Sequence, residues 1–244
     1  VEGAMEDDGP LRRAVAGVRS VLLVSGDAPQ MARREIRVLK AIEATTKTGD
    51  GPLVVKISAI TAGLPGRPSF GRLHGLVEDA LEASSLGYTI LRPTFFHQSL
   101  SLMAGPMRRG VLPAATGAGA VGFVDLADVS DCAAAALLTE GRGRTIDVLT
   151  GPEQLTMAEA ANQLSELTAR PVRHVSPPSA VMPYLLWFGA GLSPWLARKV
   201  AELMACIKTG GEAVTTDSVE RWLGRPPRPL AAYLPDLAAQ LANS

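Results

Sequence analysis

Two patterns of hydrophobic and polar residues follow each other in turn along the first ninety residues. Continuous apolar runs over Ser20–Ser25, Leu53–Ile60 and Tyr88–Leu91 are typical of strands buried on both faces of a sheet. Between them, Met31–Thr46 and Phe70–Ala83 carry apolar residues at helical spacing. The order strand, helix, strand, helix, strand predicts right-handed crossovers and therefore an α/β fold with a doubly wound parallel sheet.

The remaining residues are predicted to form short strands and helices in mixed order. Strands are expected at Val121–Val124, Thr145–Leu149 and Pro171–Val175, and helices at Gln98–Met107, Asp128–Leu138, Thr156–Thr168, Asp217–Leu223 and within Ser179–Met204. Thr156 and Asp217 each precede a glutamate by three residues, which is the spacing of a capping box. Asp125 and Asp128 have the spacing of a catalytic pair, but Asp128 is better explained as the N-cap of the alanine-rich helix. The pattern divides the chain into a sheet region, residues 1–150, and a smaller α+β region, residues 151–244.

The stretch Tyr88–Gln98 (YTILRPTFFHQ) is the strongest candidate for a ligand site. Pro93 lacks the N–H that a strand ladder needs, so the strand is expected to end there. In open α/β sheets the ligand crevice lies beyond the carboxyl ends of the strands, which would place Arg92 at the mouth of a site. The alternative is a plain strand end with two core phenylalanines, in which Arg92 pairs with an acidic neighbour to fix the turn.

Composition excludes several classes of function. The 244 residues contain 24 Lys and Arg against 24 Asp and Glu, so the net charge is zero and no overall field favours nucleic acid. The longest apolar run, Ala180–Leu192, is too short to span a bilayer, and no signal-like segment opens the sequence. Cys132 and Cys206 lie in apolar helical segments without metal-ligand spacing. We therefore expect a cytoplasmic protein with no metal, nucleic-acid or membrane partner.

A literal glycine fingerprint occurs at Gly117-Ala-Gly119-Ala-Val-Gly122, but its context differs from that of a phosphate-binding loop. The fingerprint of dinucleotide-binding folds follows a strand and opens a helix, whereas VGFVD here predicts a strand. We interpret these glycines as a turn that leads into the strand. The first sixty residues offer no alternative loop.

Five segments occur in the order typical of one protein family. They are VEG…DD…LRRAVAGVRSVLLVS, LVVKISAI, HGLVEDALEASSLGYTILRPTFFHQSL, VGFVDLADVSDCAAAAL and VERWLGRPPRPLAAYL. Together they extend over almost the whole chain, which resembles the NmrA-like, atypical short-chain dehydrogenase/reductase family. The resemblance implies a partial Rossmann-like NAD(P)-binding domain over residues 1–150 and a substrate-binding or lid region over residues 151–244. It favours NADPH over NADH as the cofactor.

The family pattern normally begins with a strand, a glycine-rich turn and a second βα unit, followed by the VEG-like segment. Here the sequence begins at that segment, with Val1, which predicts an N-terminally truncated Rossmann-like sheet. In the family's strand order the absent first strand neighbours Val21–Val24. That strand would then be an apolar edge with unpaired backbone groups. Two explanations are expected: the natural product is longer and this sequence is a fragment, which the initial Val favours, or the edge is covered by the chain's own N-terminus or by another chain, as in a homo-oligomer.

The resemblance also implies which residues form the nicotinamide side of a site. The predicted cofactor-binding residues are Ser25, Gly26, Ser58, His74, Arg92, Pro93, Thr94 and Phe95. His74 occupies the place of a ribose-holding lysine and is the candidate catalytic residue, because Phe70 leaves the site without the usual tyrosine acid. An imidazole there would titrate near neutrality. The alternative is a structural histidine with its hydrogen bonds satisfied.

The predicted substrate pocket lies under the C-terminal helices, with Phe96, Trp187, Phe188 and Trp195 as its residues, although these side chains could equally be plain core. The resulting hypothesis is an NAD(P)-dependent oxidoreductase acting on a small hydrophobic carbonyl, quinone or imine. Two alternatives stay open. The absent tyrosine and phosphate loop favour a non-catalytic ligand-sensing regulator or scaffold, and a cofactor-free cyclase or isomerase would use the same crevice.

Overall fold

The structure is a computed structural model and describes residues 4–46, 51–139 and 143–242. The VEG segment at the start of the sequence, expected to be the end of a strand, lies outside these residues. The chain divides into two compact units. One consists of residues 1–92 and 131–148, and the other of residues 93–130 and 149–244. Residues 93–130 therefore group with the C-terminal unit, while the domain functions assigned from the sequence stay predictions.

Strands and helices are numbered here in chain order. The strands are β1 (Ser20–Leu23), β2 (Leu53–Ile57), β3 (Tyr88–Pro93), β4 (Val111–Pro113), β5 (Ala120–Val121), β6 (Arg144–Leu149), β7 (Leu155–Thr156) and β8 (Arg173–Val175). The helices are α1 (Asp8–Val15), α2 (Met31–Thr45), α3 (Gly71–Ala83), α4 (Ala104–Met107), α5 (Leu126–Leu138), α6 (Met157–Thr168), α7 (Met182–Tyr184), α8 (Pro194–Lys208), α9 (Ser218–Leu223) and α10 (Leu230–Ala242). Short 3₁₀ turns occur at Ile60–Gly63 and His97–Met103, and a π-helical turn at Leu185–Gly189.

The sheet of the first unit has the strand order β1-β2-β3-β6. The pairs β1–β2 and β2–β3 are parallel, with Val54 of β2 between Val21 and Tyr88. Val54 and Ile90 are fully buried in the same apolar cluster as α2 and α3 residues such as Ile42. Continuous apolar strands between amphipathic helices thus produce the predicted Rossmann-like α/β fold, which is confirmed.

Strand β1 lies at the end of this sheet. In the part of the chain that the structure describes, it pairs with β2 alone. Leu22 of β1 and the adjacent Val24 expose 43% and 51% of their surface. Within the described residues, the structure therefore has the apolar sheet edge that the sequence predicts at Val21–Val24.

The second unit contains two small sheets, a parallel pair β4–β8 and an antiparallel pair β5–β7. The capping box at α6 is confirmed, since the Thr156 hydroxyl accepts from the Glu159 N–H and the Glu159 carboxylate accepts from the Thr156 N–H. The capping box expected at α9 is wrong. Asp217 makes no side-chain cap, because its carboxylate pairs with Arg221 at 3.1 Å instead.

The N-cap assigned to Asp128 is also wrong. Helix α5 already begins at Leu126, and the Asp125 carboxylate accepts from the N–H of Ala127 at 2.8 Å. Asp128 is fully buried in the first turn of the helix and accepts from the backbone N–H of Arg228 at 2.7 Å and from its guanidinium. A buried carboxylate needs a charged partner, and Arg228 supplies it from a hundred residues away.

None of the described helices is long and apolar enough to cross a membrane.

Candidate functional site

Polar residues follow the carboxyl ends of the three parallel strands of the first unit. Ser25 follows β1, Ser58 follows β2, and Arg92 stands at the end of β3. Since these strands run in the same direction, the three residues lie along one edge of the sheet, as predicted.

Glu78 of α3 ties two of these residues together. Its carboxylate accepts from the Ser58 hydroxyl at 2.5 Å and from Nε and Nη2 of Arg92 at 3.1 and 2.6 Å. Glu78 is 1% exposed, so this fork-shaped contact is the kind that compensates a buried carboxylate. Arg92 also lies so close to Gly63 that a Cβ there would overlap its guanidinium. The acidic partner considered for Arg92 from the sequence is therefore Glu78.

A second buried ion pair lies at the same edge and was missed from the sequence. Lys56 Nζ is 2.8 Å from Glu35 Oε2, and both side chains are fully buried. The Ser25 hydroxyl donates to Glu35 Oε1 at 2.7 Å. Burial lowers the pKa of Lys56, while the charge of Glu35 opposes this shift. The signal was available, because a lysine inside an otherwise apolar strand requires a buried acid nearby.

His74 of α3 is 8% exposed, and neither of its ring nitrogens makes a hydrogen bond to the described residues. Its Nδ1 has no hydrogen-bond partner among the described residues, and its Nε2 is 4.0 Å from Asp27 Oδ1. Burial, and secondarily the charge of Lys56, lowers the pKa of His74 to about 3. The expectation that His74 titrates near neutrality is therefore wrong, and so is the alternative of a fully hydrogen-bonded structural histidine. His74 is a neutral imidazole with an unused polar atom.

These residues fit the ribose and carboxamide portion of a nicotinamide cofactor. A buried polar atom without a partner, such as His74 Nδ1, is explained when a ligand hydroxyl or amide completes its hydrogen bonding. Ser25 and Gly26 lie in the partly open segment after β1, and a Cβ at Gly26 would meet no atom within 4 Å. Ser58 and Arg92, in contrast, are held by Glu78, which accepts from the Ser58 hydroxyl and from two of the five N–H donors of Arg92.

The other predicted cofactor residues belong to the second unit or to its boundary. Pro93 ends β3 as expected. The Thr94 hydroxyl donates to the carbonyls of Gly122 and Leu149, and Phe95 packs edge-on against Phe123 with ring centroids 5.7 Å apart. Their side chains therefore build the interior of this unit.

A histidine–aspartate pair in the second unit was also missed from the sequence. His97 Nδ1 is 3.2 Å from Asp125 Oδ2, and the His97 ring stacks on Tyr233 with centroids 6.2 Å apart. Gln98 also donates to this carboxylate at 3.2 Å. Burial lowers the pKa of His97, and the Nε2 atom of this fully buried ring has no hydrogen-bond partner among the described residues. The only sequence signal for this pair was the position of His97 in the stretch Tyr88–Gln98, the candidate ligand site.

The four predicted substrate residues differ in their surroundings. Trp187 and Phe188 are stacked with centroids 4.4 Å apart and expose 41% and 75% of their surface. Phe96 and Trp195 are half-buried. A cavity of about 300 Å³ lies next to the stacked pair of Trp187 and Phe188, and the preceding residues Leu185 and Leu186 line it.

The chain is 31% identical over 199 residues to YesF, an uncharacterized oxidoreductase of Bacillus subtilis, with 80% of this chain and 67% of YesF covered. It belongs to the NmrA-like, atypical short-chain dehydrogenase/reductase family. This NmrA-like chain is also 28% identical to the NAD(P)H azoreductase of Xenophilus azovorans, over 95% of its length and 79% of that protein. The solved NADPH-dependent quinone oxidoreductase of Escherichia coli, complexed with NADPH, matches with a TM-score of 0.87 at 22% identity, covering 97% and 82%. No protein-family model matches the chain.

The glycine fingerprint of this NmrA-like protein is a packing feature. Gly119 lies against the backbone of Ile207, and Gly122 against the carbonyl oxygen of Val214, so closely that a Cβ at either position would overlap. Gly117 and Gly119 precede β5, which pairs with β7, whereas Gly122 follows it. The interpretation as a turn into a strand is therefore correct for Gly117 and Gly119, but the strand expected at Val121–Val124 is replaced by β5 and an isolated bridge between Phe96 and Val124.

Proposed function

We propose that this chain is an NAD(P)H-dependent oxidoreductase that reduces a small hydrophobic quinone, carbonyl or imine. Membership of the NmrA-like family, the Rossmann-like sheet and the oxidoreductase names of its relatives support this function. The observation that carries it is the buried, unpartnered Nδ1 of His74, one helical turn from the Glu78 network.

The chain's own residues would hold the reduced nicotinamide in place. His74 would exchange a hydrogen bond with a ribose hydroxyl or with the carboxamide, and Ser25 and Gly26 would border the same segment. Ser58 and Arg92, held by Glu78, would form a rigid wall. When bound, NAD(P)H would supply the hydride. Because the pKa of His74 is about 3, a proton needed by the substrate would come from water or from the substrate itself.

Pro93, Thr94 and Phe95 stay in the proposed cofactor set as the sequence predicts, and their side chains are buried. The substrate is proposed to contact Phe96, Trp187, Phe188 and Trp195. An exposed, stacked aromatic pair offers a flat apolar surface to a quinone-like ring.

NADPH is the proposed cofactor in preference to NADH.

We also propose that the apolar edge of β1 pairs with a second copy of the chain, since Leu22 and Val24 are exposed beside an unpaired backbone edge among the described residues. Sedimentation of wild-type protein and of Leu22→Lys tests this pairing. A monomeric wild type contradicts it.

A second candidate is a non-catalytic sensor of the reduced cofactor. The neutrality of His74 favours it, because this side chain cannot deliver a proton at physiological pH.

Both candidates are tested with purified protein by NADPH fluorescence and by oxidation of NADPH in the presence of 1,4-naphthoquinone. We expect binding and turnover, and we expect His74→Ala to weaken NADPH binding by up to about tenfold, the effect of one lost hydrogen bond. His174→Ala is the matched control, because His174 lies on β8 and its ring bonds to the Ala114 carbonyl. Binding without turnover supports the sensor, and no binding at high micromolar NADPH contradicts both.

A further inference from the structure

The cavity of the second unit has apolar walls contributed by two separate parts of the chain. It measures about 300 Å³, at the lower end of small-molecule sites. Met103 and Val111 line one side, and Leu185 and Leu186 line the other. An apolar body of one or two rings is the kind of group that such walls would bury.

The segment that contributes Leu185 and Leu186 to the cavity carries apolar side chains both on its buried side and on its exposed side. It follows α7 and forms a π-helical turn, Leu185–Gly189, a local distortion frequent at functional sites. Leu186 is fully buried, whereas Tyr184 and Phe188 on the outside expose 60% and 75% of their surface. A contiguous apolar exposure of this kind typically marks a site of interaction.

Arg109 adds one charge to this surface. Among the described residues that line the cavity, it alone is charged. Its guanidinium makes no hydrogen bond or ion pair within the described parts of the chain. A guanidinium next to an apolar cavity is suited to a carboxylate or sulfonate, which it binds with two parallel N–H donors.

We propose that this cavity is a binding site for a hydrophobic organic anion, whose rings lie against Leu185 and Leu186 while its carboxylate or sulfonate binds Arg109. The cavity adjoins Trp187 and Phe188 of the proposed substrate surface, so its role in turnover rests on the proposed function, but binding itself requires neither the nicotinamide cofactor nor turnover.

The test uses two fluorescent probes with the same ring system. One is 8-anilinonaphthalene-1-sulfonate, and the other, N-phenyl-1-naphthylamine, lacks the sulfonate. We expect wild-type protein to bind both in the absence of cofactor. Arg109→Gln should weaken binding of the sulfonate by about fivefold, the effect of one partly solvated charge pair, and leave binding of the neutral probe unchanged. Arg108→Gln, a neighbouring exposed arginine outside the lining, should change neither affinity.

A third variant tests the location. Ala190 is a half-buried residue of the cavity lining, and Ala190→Phe should weaken binding of both probes by filling the cavity. Urea unfolding midpoints equal to that of wild type confirm that the variants are folded. The proposal is overturned if Arg109→Gln leaves the sulfonate affinity unchanged or weakens both probes equally, or if Ala190→Phe affects neither. These outcomes are independent of whether the protein oxidises NADPH.

Discussion

Replacing Glu212 with glutamine should stabilise the protein above neutral pH and remove part of the pH dependence of its stability. Glu212 is 2% exposed, and its carboxylate accepts the backbone N–H of Phe95. Its Oε2 has no hydrogen-bond partner among the described residues. Burial raises the pKa of this carboxyl to about 7, from an ordinary value of 4.5. Glutamine keeps the shape and the acceptor but removes the charge.

The sign and size of the effect follow from this raised pKa. The folded state holds the proton more tightly than the unfolded state does. Glu212 therefore contributes fully to stability below about pH 4.5, and the contribution is lost as the pH rises through about 7. At about 1.4 kcal/mol per pKa unit, the full change is ~3 kcal/mol, of which ~2 kcal/mol falls between about pH 5.5 and about pH 8.

The assay is urea unfolding of the wild type, Glu212→Gln and Glu166→Gln at these two pH values. Glu166 is an exposed residue of α6 and is the matched control. We expect the free energy of unfolding of Glu212→Gln to fall by ~2 kcal/mol less than that of wild type on raising the pH, and Glu166→Gln to follow wild type. If Glu212→Gln and wild type lose the same stability over this range, the buried carboxyl does not titrate there and the reasoning is refuted.

Three further predictions concern packing and local structure. Lys56→Met should cost about 3–5 kcal/mol in urea unfolding because it leaves Glu35 buried without its partner; the additional change Glu35→Leu should recover most of this loss, and no recovery would contradict the pairing. Gly122→Ala should lower the melting temperature sharply because its Cβ would overlap a neighbouring carbonyl oxygen, whereas Gly105→Ala, with open space around its Cβ, should not; equal effects would contradict the close approach. Thr156→Ala should cost about 1 kcal/mol through loss of the α6 capping box, measured by thermal unfolding, and an unchanged midpoint would show that the cap contributes nothing.

Much of the fold was predictable from local patterns. The apolar runs around Val54 and Ile90 indicated strands, and both residues are fully buried in a parallel sheet. The spacing of Thr156 and Glu159 indicated a helix start that the structure has. Each of these features depends on residues close together in the sequence, where hydrophobic period and capping chemistry act.

The candidate site was predictable only in outline. The strand ends placed Ser58 and Arg92 at one edge, but their common partner Glu78 and the ion pair of Lys56 with Glu35 were not foreseen. These partners come from helices that the sequence pattern locates along the chain but does not orient. The same limit explains why Asp128 was mistaken for a helix cap, since its partner Arg228 is a hundred residues away.

The sequence by itself determined the strand–helix alternation, the Rossmann-like class and the resemblance to the NmrA-like family. Only the tertiary structure decided that His74 is neutral and incompletely hydrogen-bonded, and that Glu212 carries a proton near neutral pH. The physical reason is that hydrophobic period is a property of neighbouring residues. The pKa and the hydrogen bonds of a buried group depend instead on which distant atoms folding brings around it.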